Sequence, residues 1–249
     1  LFIGISLGLI GSGGTILAVP ILVYLFKIKN MNEATHYSMF IVGTTACIGA
    51  YKKYQEKLVD IPTAIYFLIP SLLSLFFTRK IILPLIPDVL FSISDFNITK
   101  DIFLLILFGI IMMLASIFMI KNAQQDDADC NTIVPTANAY HLRTSIAAIL
   151  VGILTGLLGA GGGFLIVPTL ILLKNHCMRR ATGTSLIIIT VNSLIGFLGD
   201  VQTAVNWQLV LIFSAIAIVG MFIGLKLSKQ IKGNVLKKIF GIIVLILGI

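Results

Sequence analysis

Two stretches of the chain combine closely spaced glycines with apolar residues: GLIGSGGTILAVPIL at residues 8–22 and GLLGAGGGFLIVPTL at residues 156–170. Each glycine inside a helix costs about 1 kcal/mol relative to alanine, so these clusters weaken a continuous helix. A break frees backbone N–H groups, and the helix that restarts carries partial positive charge at its N-terminus. Free amides and this charge together can bind an anion. The pattern predicts an anion site formed by Gly11, Gly13, Gly14, Gly159, Gly161, Gly162 and Gly163.

Close helix packing is the alternative explanation for glycine in an apolar segment. Several glycines form pairs four residues apart, the spacing that lets two helix backbones approach each other. We assign packing to Gly4, Gly152, Gly220 and Gly224. Pro20 and Pro168 follow the two clusters, as expected near a restarted segment, because proline lacks an N–H group and stiffens the chain.

A second pair of matching stretches, EATHYSM at residues 33–39 and RATGTSL at residues 180–186, places hydroxyl groups at the start of the next apolar run. We predict that Thr184, Ser185 and Ser38 donate hydrogen bonds to the anion. N-capping and packing are the alternative, and we favour them for Thr35 and Thr182.

Asn192 lies deeper in its run, where it either lines the anion pathway or joins neighbouring helices. For His36 we expect a structural role rather than proton transfer. The acidic residues near these runs all lie at run ends: Glu33, Asp60, Asp101 and Asp200. Cation pumps place carboxylates deep in their spans. We therefore expect neutral amide and hydroxyl donors to hold an anion, with no metal, no cofactor and no enzymatic activity.

The composition is that of a polytopic membrane protein. Of 249 residues, 58% are hydrophobic and 11% are charged, and the mean hydropathy is +1.07. A span needs about 20 apolar residues. Eight runs qualify and are expected to be helical, at 1–26, 35–51, 61–78, 102–120, 145–173, 182–198, 205–225 and 235–249. The net charge of +8 sits in short loops, so we do not expect nucleic-acid binding.

The two glycine stretches align at an offset of 148 residues, for example Gly8 with Gly156, and the hydroxyl stretches align at an offset of 147. We predict an all-α protein of two four-span repeats, at 1–121 and 143–249, joined by a polar linker at 122–142. The first span of each repeat, which bears the glycines, is expected to be broken. Four spans per repeat would give both halves the same orientation, related by an axis along the membrane normal.

Most of the 18 Lys and Arg residues follow odd-numbered runs, if all eight runs cross the membrane. Positively charged loops favour the cytoplasmic side. This distribution predicts that both termini and the linker lie outside.

At the glycine stretches and at RATGTSL the sequence resembles the TauE/SafE sulfite exporter family, also called the toluene-sulfonate uptake permease family. The resemblance covers nearly the whole chain as two repeats. It implies transport of sulfite, sulfonates or related sulfur-containing and organic anions across the bacterial inner membrane. The sequence departs from the pattern at Thr15, where the second repeat has Gly163, and in ATHYS, a degenerate form of ATGTS. We therefore expect the part of the anion site that the first repeat contributes to be narrower or to bind the anion differently.

The leading hypothesis is a secondary carrier or exporter of small oxyanions. The alternatives are a non-transporting membrane scaffold or assembly factor, or a carrier of another organic solute. The expected partners are a small anionic substrate and the lipid bilayer, and the sequence leaves homo-oligomer formation open.

Overall fold

The computed structural model describes residues 1–22, 31–82, 85–86, 89–93, 96–122, 138–158, 163–174, 177–199 and 205–248. Within them the chain forms ten α-helices and a short antiparallel hairpin of β1 (Val89–Ile93) and β2 (Phe96–Thr99). The helices are α1 (Phe2–Ile10), α2 (Gly13–Pro20), α3 (Met31–Gln55), α4 (Ile61–Phe77), α5 (Lys100–Asn122), α6 (Asn138–Leu158), α7 (Gly163–Lys174), α8 (Met178–Gly199), α9 (Trp207–Gln230) and α10 (Gly233–Gly248).

Among the described residues, three helical segments are long and apolar enough to cross a membrane: Ile61–Ile82, which includes a π-helical turn after α4, Met178–Gly199 and Trp207–Gln230. Shorter apolar helices lie at Gly109–Lys121, Leu142–Leu157 and Gly163–Leu172. The helical character that the sequence predicts is therefore confirmed. Among the described elements, only the hairpin departs from the all-α prediction. The count of eight spans, the repeat boundaries and the linker stay predictions.

The two halves of the chain pack against each other through two equivalent pairs of helices. α1 of the first half lies along α9 of the second, and α6 of the second lies along α4 of the first. Glycines bring these helices close: Gly4 lies against the Ala217 carbonyl, and Gly152 lies against the Ser71 carbonyl. A Cβ at each of these glycines would meet backbone of the partner helix. This confirms the packing role predicted for Gly4, Gly152, Gly220 and Gly224.

α3 and α8, which are equivalent in the two halves, cross at the centre of the molecule in opposite directions. A Cβ on Gly196 would lie 3.1 Å from the Met39 sulfur, near the start of α3 and the end of α8. A Cβ on Gly49 would lie 3.3 Å from Leu186, at the other end of the pair. Equivalent helices that run antiparallel are related by an axis in the membrane plane. The prediction that both halves share one orientation is therefore wrong.

The physical reason is the number of helical segments in each half. The first apolar run contains two helices, α1 and α2, so the described residues of the first half form five helices rather than four. An odd number of segments inverts the second half relative to the first. Apolar length alone does not distinguish one long span from two short helices.

The inversion also changes the expected position of the linker. α6 runs parallel to α4, because Gly152 contacts Ser71 and Gly156 contacts Thr78. α4 begins at Asp60, beside the start of α8. α6 therefore begins at the same end of the molecule as the basic start of α8. The described start of α6 thus lies on the opposite side from the one that the loop charges predict, and the linker residues 123–137 lie outside the described residues.

Candidate functional site

Gly11 reverses the direction of the chain. It ends α1 in the left-handed conformation, with φ 81° and ψ −18°, and its N–H donates to the Leu7 carbonyl oxygen at 2.7 Å. α2 then runs back along α1, because a Cβ on Gly14 would lie 2.6 Å from the Ile3 carbonyl oxygen. In a straight helix these two residues would be about 16 Å apart. The first apolar run is a helical hairpin.

Gly11 requires glycine for two independent reasons. Side chains rarely adopt its left-handed backbone. A Cβ would also lie 2.6 Å from Cγ2 of Thr182 and 2.9 Å from Oγ of Ser185, both on the first turns of α8. The turn of the hairpin is thus pressed against the hydroxyl-bearing start of α8. The structure brings together Gly11 and Ser185, two of the predicted site residues.

Gly13 and Gly14 lie inside the first turn of α2, so the break is narrower than the glycine cluster. Their Cβ positions are occupied by Ser6 and Leu7 of α1. These two glycines therefore let the hairpin close. Their N–H groups remain candidate donors, because first-turn amides have no acceptor within the helix.

In the second half, the glycine stretch lies between the described parts of α6 and α7. α6 ends at Leu158 and α7 begins at Gly163. The predicted break is present in the first half at Gly11, and in the second half it falls on residues 159–162, which lie outside the described residues. Three further predicted site residues, Gly159, Gly161 and Gly162, lie outside the described residues.

Gly163 and Thr15 occupy equivalent positions in the two halves, and they contact each other. A Cβ on Gly163 would lie 2.7 Å from Cγ2 of Thr15 and 2.9 Å from Cδ1 of Ile189 on α8. Contact between equivalent positions places the pseudo-twofold axis between them. The first turns of α2 and α7 therefore meet at the buried centre of the protein.

One face of α8 runs along this buried centre. Thr182, Ser185, Ile189 and Asn192 recur at a spacing of three and four residues, which is one helix face. Asn192 is 5% exposed, and no described group pairs with its Oδ1 atom. The Ser185 hydroxyl donates to the Thr182 carbonyl oxygen at 2.8 Å. Ser38, the equivalent residue of α3, donates in the same way to Thr35 at 2.7 Å.

Thr184 lies elsewhere. Its hydroxyl accepts a hydrogen bond from the Asp60 N–H at 3.0 Å. Asp60 is the N-cap of α4 and accepts from the Thr63 N–H at 3.2 Å. The described contacts of Thr184 thus join α8 to the start of α4 and do not reach the Gly11 turn. The geometry gives this hydroxyl a positioning role.

Ser12 and Ser6 are buried hydroxyls that the sequence analysis missed. The Ser12 carbonyl accepts hydrogen bonds from the Thr15 N–H at 3.3 Å and the Thr15 hydroxyl at 2.7 Å. The Ser12 side chain is fully buried, and no described group pairs with Oγ of Ser12 or of Ser6. Unpaired buried hydroxyls are rare in folded proteins. The available signal was that the second half has Leu154 and Ala160 at these two positions.

One end of the α3–α8 pair carries charged side chains, and we call it the basic end (Lys53, Glu56, Arg179 and Lys229). Glu56 pairs with Lys229 at 2.7 Å and with Lys53 at 3.6 Å. Arg179 donates to the Lys229 carbonyl oxygen at 3.1 Å. Burial pushes the pKa of Glu56 upward, but the hydrogen bond from Lys229 and the two positive charges outweigh burial and hold the pKa below its usual value.

The opposite end carries aromatic side chains, and we call it the aromatic end (His36, Phe40, Phe197 and Trp207). The His36 ring stacks on Phe197 with centroids 4.3 Å apart, and its Nε2 lies 3.1 Å from the Phe197 carbonyl oxygen. Trp207 meets Phe40 edge to face at 5.7 Å. The buried His36 ring is thus held in a packed cluster, as expected for a structural histidine.

Comparison with known proteins gives a match over the full length. The model of the family described as sulfite exporter TauE/SafE matches residues 1–249. A "Probable membrane transporter protein" of Xylella fastidiosa (strain Temecula1) is 28% identical, over 99% of this chain and 90% of the relative. The "Probable membrane transporter protein YunE" of Bacillus subtilis (strain 168) is 28% identical, over 96% of this chain and 90% of the relative. No solved structure matches.

Proposed function

Because the chain belongs to the sulfite exporter TauE/SafE family, a family of membrane transporters, we propose that it carries small oxyanions across the membrane. The substrates are sulfite, sulfonates or related sulfur-containing and organic anions. By its family the chain is an integral membrane protein, and its place is the bacterial inner membrane. Self-association into a homo-oligomer is compatible with this role.

The observation that carries the proposal is the meeting of two helix starts at the pseudo-twofold axis. α2 begins at Gly13 and α7 begins at Gly163, and their first turns touch through Thr15 and Gly163. Each helix N-terminus presents unpaired N–H groups and a partial positive charge. In lipid, such groups are tolerable only where protein, water or a ligand satisfies them. A small anion between the two helices would satisfy them.

The side chains around this point support an anion rather than a cation. Ser12 offers a buried, unpaired hydroxyl beside the start of α2. Ser185 lies on the α8 face that Gly11 and Gly163 contact, and Asn192 lies farther along this face. Because the Ser185 hydroxyl donates to the Thr182 carbonyl oxygen, the Asn192 amide is the one of these two side chains that can donate to an anion. Among the described residues of this region, none is a carboxylate. Sites for Ca²⁺ and Mg²⁺ usually include carboxylate oxygens.

The inverted relation of the halves supports transport over a scaffold role. Inverted repeats with broken helices place their substrate sites at the repeat interface, and rocking of one repeat against the other exposes the site to each side. The pairing of helices between the two halves is compatible with this motion. The chemical difference between the two ends of the α3–α8 pair is compatible with it as well. A non-transporting scaffold needs no interrupted helix at its centre. A carrier of another organic solute remains the second candidate, since the family match does not define the substrate.

Uptake by purified protein in proteoliposomes tests the proposal. We expect labelled sulfite or methanesulfonate to enter vesicles with wild-type protein and not empty vesicles. Gly163→Val should lower uptake at least about tenfold, because its side chain fills the space between Thr15 and Ile189. Gly199→Ala is the matched control, since its Cβ meets only the Phe76 ring at 3.4 Å.

Folding of both variants is checked by thermal unfolding in detergent. Absence of uptake by well-folded wild-type protein for every anion supplied would reject the proposal. Full uptake by Gly163→Val would reject the central position of the site.

A further inference from the structure

We infer that the crevice between the C-terminal ends of α3 and α9 binds an anionic phospholipid, whose phosphate is held by Lys52 and Lys226. We call this feature the lipid crevice (Tyr51, Lys52, Phe222, Lys226 and Lys229). It lies at the basic end and is separate from the anion site proposed between α2 and α7. Lipid binding there goes beyond the proposed transport and does not depend on which solute is carried.

The two helices that form the lipid crevice lie side by side and run in the same direction. The Thr44 hydroxyl of α3 donates to the Ser214 hydroxyl of α9 at 3.5 Å. Farther along both helices, the Glu56 carboxylate pairs with the Lys229 ammonium group at 2.7 Å. Because both contacts advance toward the C-terminal ends, α3 and α9 end at the same level, and their last turns face each other.

The outer face of α9 changes from apolar to basic along its length. Val219, Phe222 and Ile223 are 54%, 44% and 41% exposed, as expected for side chains against the acyl chains of a membrane. Lys226 continues this face one turn farther and Lys229 follows it, because residues three or four apart share a helix face. Long lysine side chains place their ammonium groups at the level of the lipid headgroups. Apolar contacts followed by cations match the order of groups in a phospholipid.

Two ammonium groups flank the Phe222 ring. The half-buried Lys52 places its Nζ 4.8 Å from the centre of this ring, and the contact fixes the ammonium group without using its N–H donors. Lys226 lies one turn from Phe222 on α9. In the part of the chain that the structure describes, Glu56 pairs with two other lysines, and no carboxylate pairs with Lys52 or Lys226. A phosphodiester carries one negative charge and accepts hydrogen bonds from both ammonium groups.

Exposed tyrosines mark the level of the crevice in the membrane. Tyr51 and Tyr54 lie beside Lys52 on α3 and are 65% and 55% exposed. Tyrosine is enriched where the acyl chains meet the headgroups, because its ring is apolar and its hydroxyl is polar. The lysines beside these rings are therefore placed among headgroups. Extension of the lysines into water is the alternative, in which case neutral and anionic lipids would bind equally well.

Native mass spectrometry of the purified wild-type protein in detergent tests the inference. Phosphatidylglycerol is the anionic lipid, and phosphatidylcholine is the neutral one. We expect phosphatidylglycerol to bind at least about tenfold more tightly, since each lysine near an anionic headgroup strengthens binding about fivefold. Glycerophosphoglycerol, the same headgroup without acyl chains, should bind more weakly than the intact lipid. Equal binding of the two lipids would overturn the inference, and equal binding of the free headgroup would assign the crevice to a soluble phosphate compound instead.

Substitutions locate the lipid. Lys52→Gln combined with Lys226→Gln should weaken phosphatidylglycerol binding about 25-fold, and each single substitution about fivefold, because each removes one charge. Lys80→Gln is the matched control, since it removes the charge of an exposed lysine at the aromatic end. The neighbouring Arg79 shows this position, because its Nη1 lies 4.0 Å from the Met39 sulfur. This variant should leave phosphatidylglycerol binding unchanged.

Thermal unfolding in lipid-free detergent checks that each variant folds, and the single substitutions decide the question if the double variant does not fold. Unchanged phosphatidylglycerol binding in a folded crevice variant would overturn the inference. An equal loss in Lys80→Gln would overturn it too, since it would show attraction without a defined site. Labelled anion uptake by the wild-type protein is a separate measurement, so a negative result for lipid binding leaves the proposed function standing.

Discussion

The two ends of the α3–α8 pair use one backbone arrangement and different side chains. At the basic end, Gly183 has no side chain, and the Leu58 carbonyl occupies the space where a Cβ would be. At the aromatic end, the equivalent residue is His36, which fills the space with a ring stacked on Phe197. At the basic end, backbone packs against backbone. At the aromatic end, side chains pack against each other.

The hydrogen bonds beside these contacts are equivalent. Thr184 accepts from the Asp60 N–H at 3.0 Å, and Tyr37 accepts from the Asn206 N–H at 3.3 Å. Asp60 and Asn206 are the N-caps of α4 and α9, and each belongs to the other half of the chain from its acceptor. The two halves thus share the hydrogen bond to the N-cap of a neighbouring helix and differ in the residues that pack beside it. Salt weakens the exposed ion pairs of the basic end, whereas it leaves the aromatic contacts unchanged.

The orientation of the two ends gives the largest, all-or-none effect. Lys and Arg favour the cytoplasmic side, so the basic end should face the cytoplasm. A reporter inserted in the linker at 122–142, which precedes the start of α6 at this end, should report the cytoplasm. A second insertion at 200–204, before the Trp207 end, should report the outside. The same location for both insertions would contradict the inverted arrangement.

Substitution at position 183 should separate the two ends most strongly in stability. Gly183→Val places two methyl groups against the Leu58 backbone, which cannot move away as a side chain can. We expect a loss of about 3 kcal/mol or more, or failure to fold, measured as thermal unfolding in detergent. Gly199→Ala, with its ordinary contact to Phe76, should be nearly neutral. A neutral Gly183→Val would show that the basic end is looser than described.

The equivalent hydrogen bonds should respond equally. Thr184→Val and Tyr37→Phe each remove one acceptor and leave the shape of the side chain nearly unchanged. Each should cost about 1 kcal/mol, because one N-cap N–H loses its partner. Equal shifts in unfolding temperature would support the equivalence of the two hydrogen bonds. A large effect of Thr184→Val on anion affinity alone, without loss of stability, would instead return Thr184 to the binding site.

The ion pairs should give the smallest effect, and only at the basic end. Glu56→Gln should cost less than about 1 kcal/mol, since Lys229 is solvent-exposed. Neighbouring positive charge lowers the folded-state pKa of Glu56, so its contribution is present above the unfolded value of 4.5 and is lost as pH falls below it. Wild type and Glu56→Gln should therefore converge in stability at acid pH. A difference in stability that persists at acid pH would indicate that Glu56 acts through packing and not through its charge.

The helix break at Gly11 and the packing glycines could be predicted from sequence because their signals are local. Glycine clusters weaken helices wherever they occur, and the break after α1 follows from that cost. Packing glycines such as Gly4 and Gly220 follow from their spacing. The resemblance of the two halves and the family also follow from short motifs.

The reversal at Gly11 could not be predicted in the same way. Hydropathy records burial in lipid and carries no direction, so a hairpin and a span have the same composition. The inversion of the halves depends on that reversal, and the error in orientation follows from it. Ser12 escaped notice because a single serine in an apolar run has no periodic signal. Its significance depends on the absence of a described partner, which only coordinates reveal.

The most direct test of the central claim is the position of a bound anion. Crystals grown with a bromine-substituted alkyl sulfonate, a monoanion, would give an anomalous peak at the bromine and density for the sulfonate oxygens. We predict these oxygens within hydrogen-bonding distance of Ser12 and the first-turn amides of α2, between α2 and α7. Density only at Arg179 and Lys229 of the basic end would contradict the account and place the anion at the surface.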